Sequence, residues 1–367
     1  MVFRFVQILL HVTLAVALLQ VIIRSASQFP RDSGKCKKLA LHPDGQTYVD
    51  FTSFFHPSLQ PYVSEIPESV LFPINITPTF ISALEDFWGT AALDLFSPTF
   101  LTVYAWLAVQ AVTERTGGSF IPKLLIFAAP LTLTVAQLIT IAVAFNVIAA
   151  PAFILLFHNT RVKRLPSASR LSAIAFSTLL LYGGSLFLFG QSKPNTLWAV
   201  TLFQFLPIVV AFLYYLPFSI IAGLPFTVAF DSNDKSAALR KFWYFVAGLA
   251  SILHVGAVFR LLAALLDYDN APSYGLPRVA SLPRLNVNTL FVDIFSVKQI
   301  SDMGRVVLSL DYLVLATALL IMMTFGTGAV RGSRGLLAYL PQIIFLGPGA
   351  AFSFWMAENA EVPLKSD

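Results

Sequence analysis

The chain has 367 residues, 57% of them hydrophobic and only 12% charged, with a mean hydropathy of +0.75. Soluble domains carry about 25% charged residues, so this composition excludes an ordinary soluble domain and predicts an all-α, polytopic integral membrane helical bundle. A formal charge of +5 does not indicate nucleic acid as a partner, because the basic residues fall in short connections between apolar runs, as orientation signals do.

The first run, Phe5 to Ile23, is apolar and flanked by Arg4 and Arg24, so residues 1–24 are expected to form an N-terminal membrane anchor helix. Residues 25–79 form a polar, Pro-rich loop with a basic cluster at Lys35, Lys37 and Lys38. This loop carries the sequon Asn75-Ile76-Thr77, which makes Asn75 a glycosylation site if the loop is lumenal. Cys36 is the single cysteine, which excludes an internal disulfide framework and a cysteine-based metal site.

Residues 80–366 are expected to form the helical transmembrane domain. Its first part, Phe80 to Gly117, has Glu85 and Asp86 ahead of it, Asp94 at the entry of its apolar section and Glu114 near its end. Asp94, Ser97 and Pro98 together predict either a helix start or a break between an interfacial helix and a span. From Phe120 to His158 the chain is apolar for almost twice the length of one span, with Asn146 midway. That length fits two spans with a tight turn, or a re-entrant helix followed by one span. Arg161, Lys163, Arg164 and Arg170 follow, and this basic loop is expected to be cytoplasmic.

Further spans are expected at Leu171–Gly190, Thr196–Ala222, Phe242–Leu266, Arg305–Gly326 and Gly335–Met356. The total is about eight, with nine as the alternative if residues 120–158 cross twice. The sequon favours nine and the lysine cluster eight; eight is preferred. The long connection 267–302 falls on the lumenal side, and its apolar patch around Leu290 to Phe295 suggests a lid over the lumenal mouth.

Asp311 lies well inside its span, where an unpaired charge costs several kcal/mol. Arg260 lies six residues before the end of the preceding span, so antiparallel packing of these two helices would pair Arg260 with Asp311. Such a pair acts either as a clamp between helices or as the holder of a proton donor.

The chain contains no P-loop, HExxH, GxSxG or GxGxxG, no Asp-rich diphosphate motif, and no metal-ligand spacing among His11, His42, His56, His158 and His254. Neither a cofactor nor a metal is therefore expected. Asp267-Tyr268-Asp269-Asn270 is similar to the DxDD acid motif of protonating cyclases, but Asn replaces its last Asp, and the stretch is more simply a solvated loop. What remains is a set of acids in or beside apolar helices: Asp94, Glu114, Asp311 and Glu358. A carboxyl in a dry site can serve as a proton donor, and rings such as Phe203, Tyr214, Tyr215, Trp243 and Tyr244 can stabilise a cation or simply pack in the core.

Three passages, LALHPDGQTYVDFTSFFHPSLQPYV (39–63), PAFILLFHNTRVKR (151–164) and RGSRGLLAYLPQIIFLGPGAAFSFWMAENA (331–360), resemble the fungal membrane-bound terpene cyclases of meroterpenoid pathways, the ascofuranone and macrophorin type. The resemblance rests on texture across most of the chain and carries over no catalytic residue. It implies cyclisation of the isoprenoid tail of a prenylated polyketide or phenol, started by protonating a terminal epoxide or alkene without metal. It also implies a multi-pass protein of the endoplasmic reticulum, whose partners are the lipid bilayer, a hydrophobic prenylated substrate and other membrane-bound pathway enzymes. The residues themselves single out Asp94, Glu114 and Asp311 as candidate catalytic acids, with Arg260 as electrostatic partner. Transport of a hydrophobic metabolite, with Arg260 and Asp311 as a gate, and a non-catalytic scaffold are the alternatives.

Overall fold

The computed structural model describes residues 2–27, 39–41, 48–50, 83–84, 86–117, 119–127, 132, 136, 140–189, 206, 209, 230, 232, 234–278, 293–296, 302–325 and 336–359. The chain is mostly helical. Among the described residues, four helices are long and apolar enough to cross a membrane: α1 (Val2–Ser27), α2 (Phe87–Val112), α7 (Lys235–Leu266) and α8 (Asp302–Phe325). Asn75 and the expected span 196–222 lie outside the described residues, apart from isolated positions in the latter.

Helix α2 is the axis of the bundle. Asp86 caps its N-terminus by accepting a hydrogen bond from the Gly89 N–H at 2.8 Å. The helix then runs unbroken through Ser97 and Pro98, where the sequence predicts a start or a break. Pro98 removes only one backbone donor, that toward the Asp94 carbonyl, and close packing around the helix keeps it continuous. Tyr104, Trp106 and Leu107 are fully buried, and helices α6 (Ala168–Phe189), α7, α8 and α10 (Pro348–Glu358) all pack on α2.

Two segments are broken rather than straight. Between residues 140 and 159 the chain forms a short helix α4 (Ile141–Ala144), a π-helical turn (Phe145–Ala149) and α5 (Ala150–Asn159). The expected span 335–356 is divided into α9 (Leu336–Leu346) and α10 by Gly347, whose φ of 89° only glycine adopts without strain, with Pro348 at the first helical position.

At one end of the bundle, strand β3 (Glu114–Gly117) continues α2 and pairs antiparallel with β4 (Thr160–Arg164), placing Glu114 opposite Arg164 and Gly117 opposite Thr160. Helix α3 (Phe120–Phe127) leaves from this ladder and packs on α2 and α5. A second short ladder joins β1 (Leu39–Leu41) to β2 (Tyr48–Asp50). At the opposite end, the 3-10 turn Tyr268–Tyr274 packs back on α7, with Ala271 and Leu276 buried against Phe87 and Ala91 of α2. Arg305 fastens the same end. It donates to the carbonyls of Ile294 and Ser296 and forms ion pairs with Asp86 at 3.3 Å and Asp302 at 3.2 Å. The described parts of the 267–302 connection thus pack against the ends of α2, α7 and α8.

Candidate functional site

Helices α2 and α7 run antiparallel, so the start of α2 meets the end of α7. This brings Asp94, two turns into α2, against Arg260, two turns from the end of α7, with Nη2 to Oδ2 at 2.8 Å. The expected pairing of Arg260 with Asp311 is therefore incorrect. Sequence position places both acids at a similar depth, but α7 packs on α2, whereas the Asp311 carboxyl of α8 is turned to the start of α4. The Asp94 and Arg260 side chains are 29% and 42% exposed, so the pair lies at an open edge of the helix packing rather than in its centre. Tyr182 of α6 lies within electrostatic range of both charges. Phe96 and Phe100 stack one turn apart just beyond Asp94, with ring centroids 5.7 Å apart.

Asp311 is only 5% exposed and has a different task. Its Oδ1 accepts from the Ala142 N–H at 2.8 Å, and the Thr140 hydroxyl and Ile141 N–H also point to the carboxyl. These are the orphan donors of a helix N-terminus, and Asp311 caps α4 from a neighbouring helix. Thr140 has φ 102°, a conformation costing a non-glycine residue about 1–3 kcal/mol. The hydrogen bonds to Asp311, together with Thr140 N–H to the Ala136 carbonyl at 2.8 Å, hold that strained corner in place.

A polar chain continues from this cap through the bundle. The Asn146 amide donates to the Ala142 carbonyl at 2.7 Å, and its Oδ1 accepts from His11 Nδ1 at 2.6 Å. Since Asn146 Oδ1 can only accept, His11 is the Nδ1–H tautomer, and its buried Nε2 has no hydrogen-bond partner among the described residues. His11 and Asn146 are both fully buried, with the Phe145 ring edge-on to the imidazole. Sequence spacing cannot find this link, because 135 residues separate the two. Its only local signal is a polar residue in each of two apolar runs.

The remaining acids are dispersed. Glu114 sits at the far end of α2, twenty residues and about 30 Å from Asp94, exposed on β3. It lines a cavity of about 520 Å³ that neither Asp94 nor Asp311 reaches. Glu358 accepts from the Tyr339 hydroxyl at 2.7 Å. In the 267–270 stretch, Asp267 accepts from the Asn270 amide and Asp269 pairs with Arg278 at 3.0 Å, both at exposed positions, as in a solvated loop. Trp243 is core, edge-on to Phe242, and Tyr244 is half exposed beside Phe354; Phe203, Tyr214 and Tyr215 lie outside the described residues. The candidate catalytic residues do not form one cluster: Asp94 and Arg260 are together, while Asp311 and Glu114 are each elsewhere.

No protein-family model matches this chain, and comparison with curated proteins and with solved structures returns no match.

Proposed function

We propose that the chain is a membrane-embedded, metal-independent terpene cyclase in which Asp94 is the proton donor and Arg260 orients it. The substrate is the isoprenoid tail of a prenylated polyketide or phenol. Asp94 protonates the terminal epoxide or alkene, ring closure carries the cation along the tail, and loss of a proton returns the charge balance, so the product is an isomer of the substrate. The observation that carries this reading is the Asp94–Arg260 pair: an acid in the apolar part of a span, fixed through Oδ2 at 2.8 Å and still partly accessible. In this reading Oδ1 carries the proton, and the stacked Phe96 and Phe100 rings flank the developing cation. Asp311, its oxygens engaged by the start of α4, is assigned a structural role, and Glu114 none in the chemistry.

A second reading, transport of a hydrophobic metabolite, draws support from the two broken helices and the buried His11–Asn146–Asp311 chain, since discontinuous helices and intramembrane polar groups often mark transport paths. The test is to supply microsomes containing the protein with a farnesylated phenol and its terminal epoxide and to look for an isomer of equal mass. An isomer that disappears in Asp94→Asn but persists in the exposed Asp234→Asn supports the cyclase. Absence of any isomer, with the protein folded in the membrane, favours transport.

The same reading places the protein in the endoplasmic reticulum membrane as a multi-pass protein. The β3–β4 ladder ties both ends of residues 118–159 to one face, which supports an even number of crossings for that segment. Two crossings give nine spans in place of the preferred eight, a cytoplasmic ladder and a lumenal Asn75. The pathway's other membrane-bound enzymes supply the prenylated substrate.

A further inference from the structure

The cavity at the β3–β4 end is independent of the acid site. It is a half-open cavity bordered by the last turn of α2, by α3, and by the connection from β4 into α6. Four cationic side chains, Arg115, Lys123, Arg164 and Arg170, and one carboxylate, Glu114, are among its lining residues. A void whose charged lining is mainly cationic attracts an anion. Arg115 is already positioned: its Nη2 donates to Gln110 Oε1 at 2.9 Å, and its guanidinium lies 5.9 Å from the Phe153 ring centroid. The amino end of α6 opens on the same void, where the Ser167 hydroxyl accepts from the Arg170 N–H at 3.3 Å. The inner wall is apolar, formed by Ile126, Leu156 and Leu165.

We propose that this cavity binds a phosphate-bearing anion, with the phosphate between Lys123, Arg164 and Arg170. An apolar wall beneath a cationic rim, at the end of membrane-crossing helices, suits the headgroup and first methylenes of an anionic phospholipid, and the same cations accept free phosphate. Its volume of about 520 Å³ accommodates either. Such a ligand joins α3, β4 and α6 at the membrane face.

The experiment is thermal unfolding of the full-length, delipidated protein in detergent, with phosphatidic acid, phosphatidylcholine or inorganic phosphate added separately. Phosphatidic acid is expected to raise Tm by several degrees and phosphatidylcholine to leave it unchanged. An equal rise with inorganic phosphate identifies free phosphate as the source, and a rise with phosphatidic acid alone identifies the lipid. The double variant Lys123→Gln/Arg164→Gln is expected to lose the rise while keeping the Tm measured in phosphatidylcholine; Asp94→Asn is expected to retain it. A missing response to both anions, or a response of equal size in the double variant, overturns the proposal. Should that variant fail to fold, native mass spectrometry of the wild-type protein with each additive decides, and no retained phosphate or phosphatidic acid overturns it equally.

Discussion

Arg260 Nη2 lies 2.8 Å from Asp94 Oδ2 across the α2–α7 interface, joining two residues 166 positions apart in the sequence. Both side chains are partly exposed, so the pair contributes modestly to stability, on the order of 1 kcal/mol. Its larger consequence is expected in activity. Asp94→Asn should lower cyclisation by about 10²–10⁴-fold, the usual contribution of a general acid, with Tm nearly unchanged. Arg260→Gln should lower it less, and the double variant should be no worse than Asp94→Asn alone. Full activity in Asp94→Asn microsomes would remove this residue from the chemistry.

Asp311 should behave in the opposite way. Asp311→Ala removes the acceptor from the first donors of α4 while Thr140 remains strained, and is expected to cost about 1–3 kcal/mol. Asp311→Asn retains one acceptor oxygen and should cost less. Thermal unfolding in detergent reads both. An isomer yield that falls steeply in Asp311→Asn while Tm stays at the wild-type value would contradict the capping role.

Asn146 connects His11 to the same cap. Asn146→Leu leaves a buried imidazole N–H without an acceptor and should destabilise the protein by about 1–3 kcal/mol. Adding His11→Leu should restore part of that loss, because removing both polar partners is cheaper than removing one. Strict additivity in this double-mutant cycle would show that the two residues are not coupled.

Gly347 is constrained twice. A Cβ there would lie 2.6 Å from the His254 ring, and its φ of 89° disfavours any side chain. Gly347→Ala is expected to cost about 2–4 kcal/mol from the two effects combined. His254→Ala should recover the steric share and leave the conformational one. Recovery of the full loss would mean that the backbone relaxes at no cost.

The β3–β4 ladder predicts where Asn75 resides. If residues 118–159 return to the face they left, the 25–79 loop is lumenal, and a glycosidase should increase the protein's gel mobility. Asn75→Gln should have the faster mobility without treatment. Equal mobility in all three samples would place the loop in the cytoplasm.

The sequence alone determined the apolar, mostly helical class and the approximate positions of the candidate spans α1, α7 and α8, because twenty-residue apolar runs with charged ends have few alternatives to spanning a bilayer. It also picked out Asp311 and Arg260 as charges that the membrane interior tolerates only with partners, and Asp94 as an acid at the entry of an apolar run. Tertiary structure decided which partners these were. Depth along a helix follows from residue count, but hydropathy contains no record of which helices adjoin, so Arg260 and Asp311 appeared matched while α7 actually faces Asp94. The cap on α4 and the His11–Asn146 link were invisible for a related reason: each joins a single polar group on one helix to a backbone break or a single polar group on another. Only the packing of α1, α4 and α8 brings those groups within hydrogen-bonding distance.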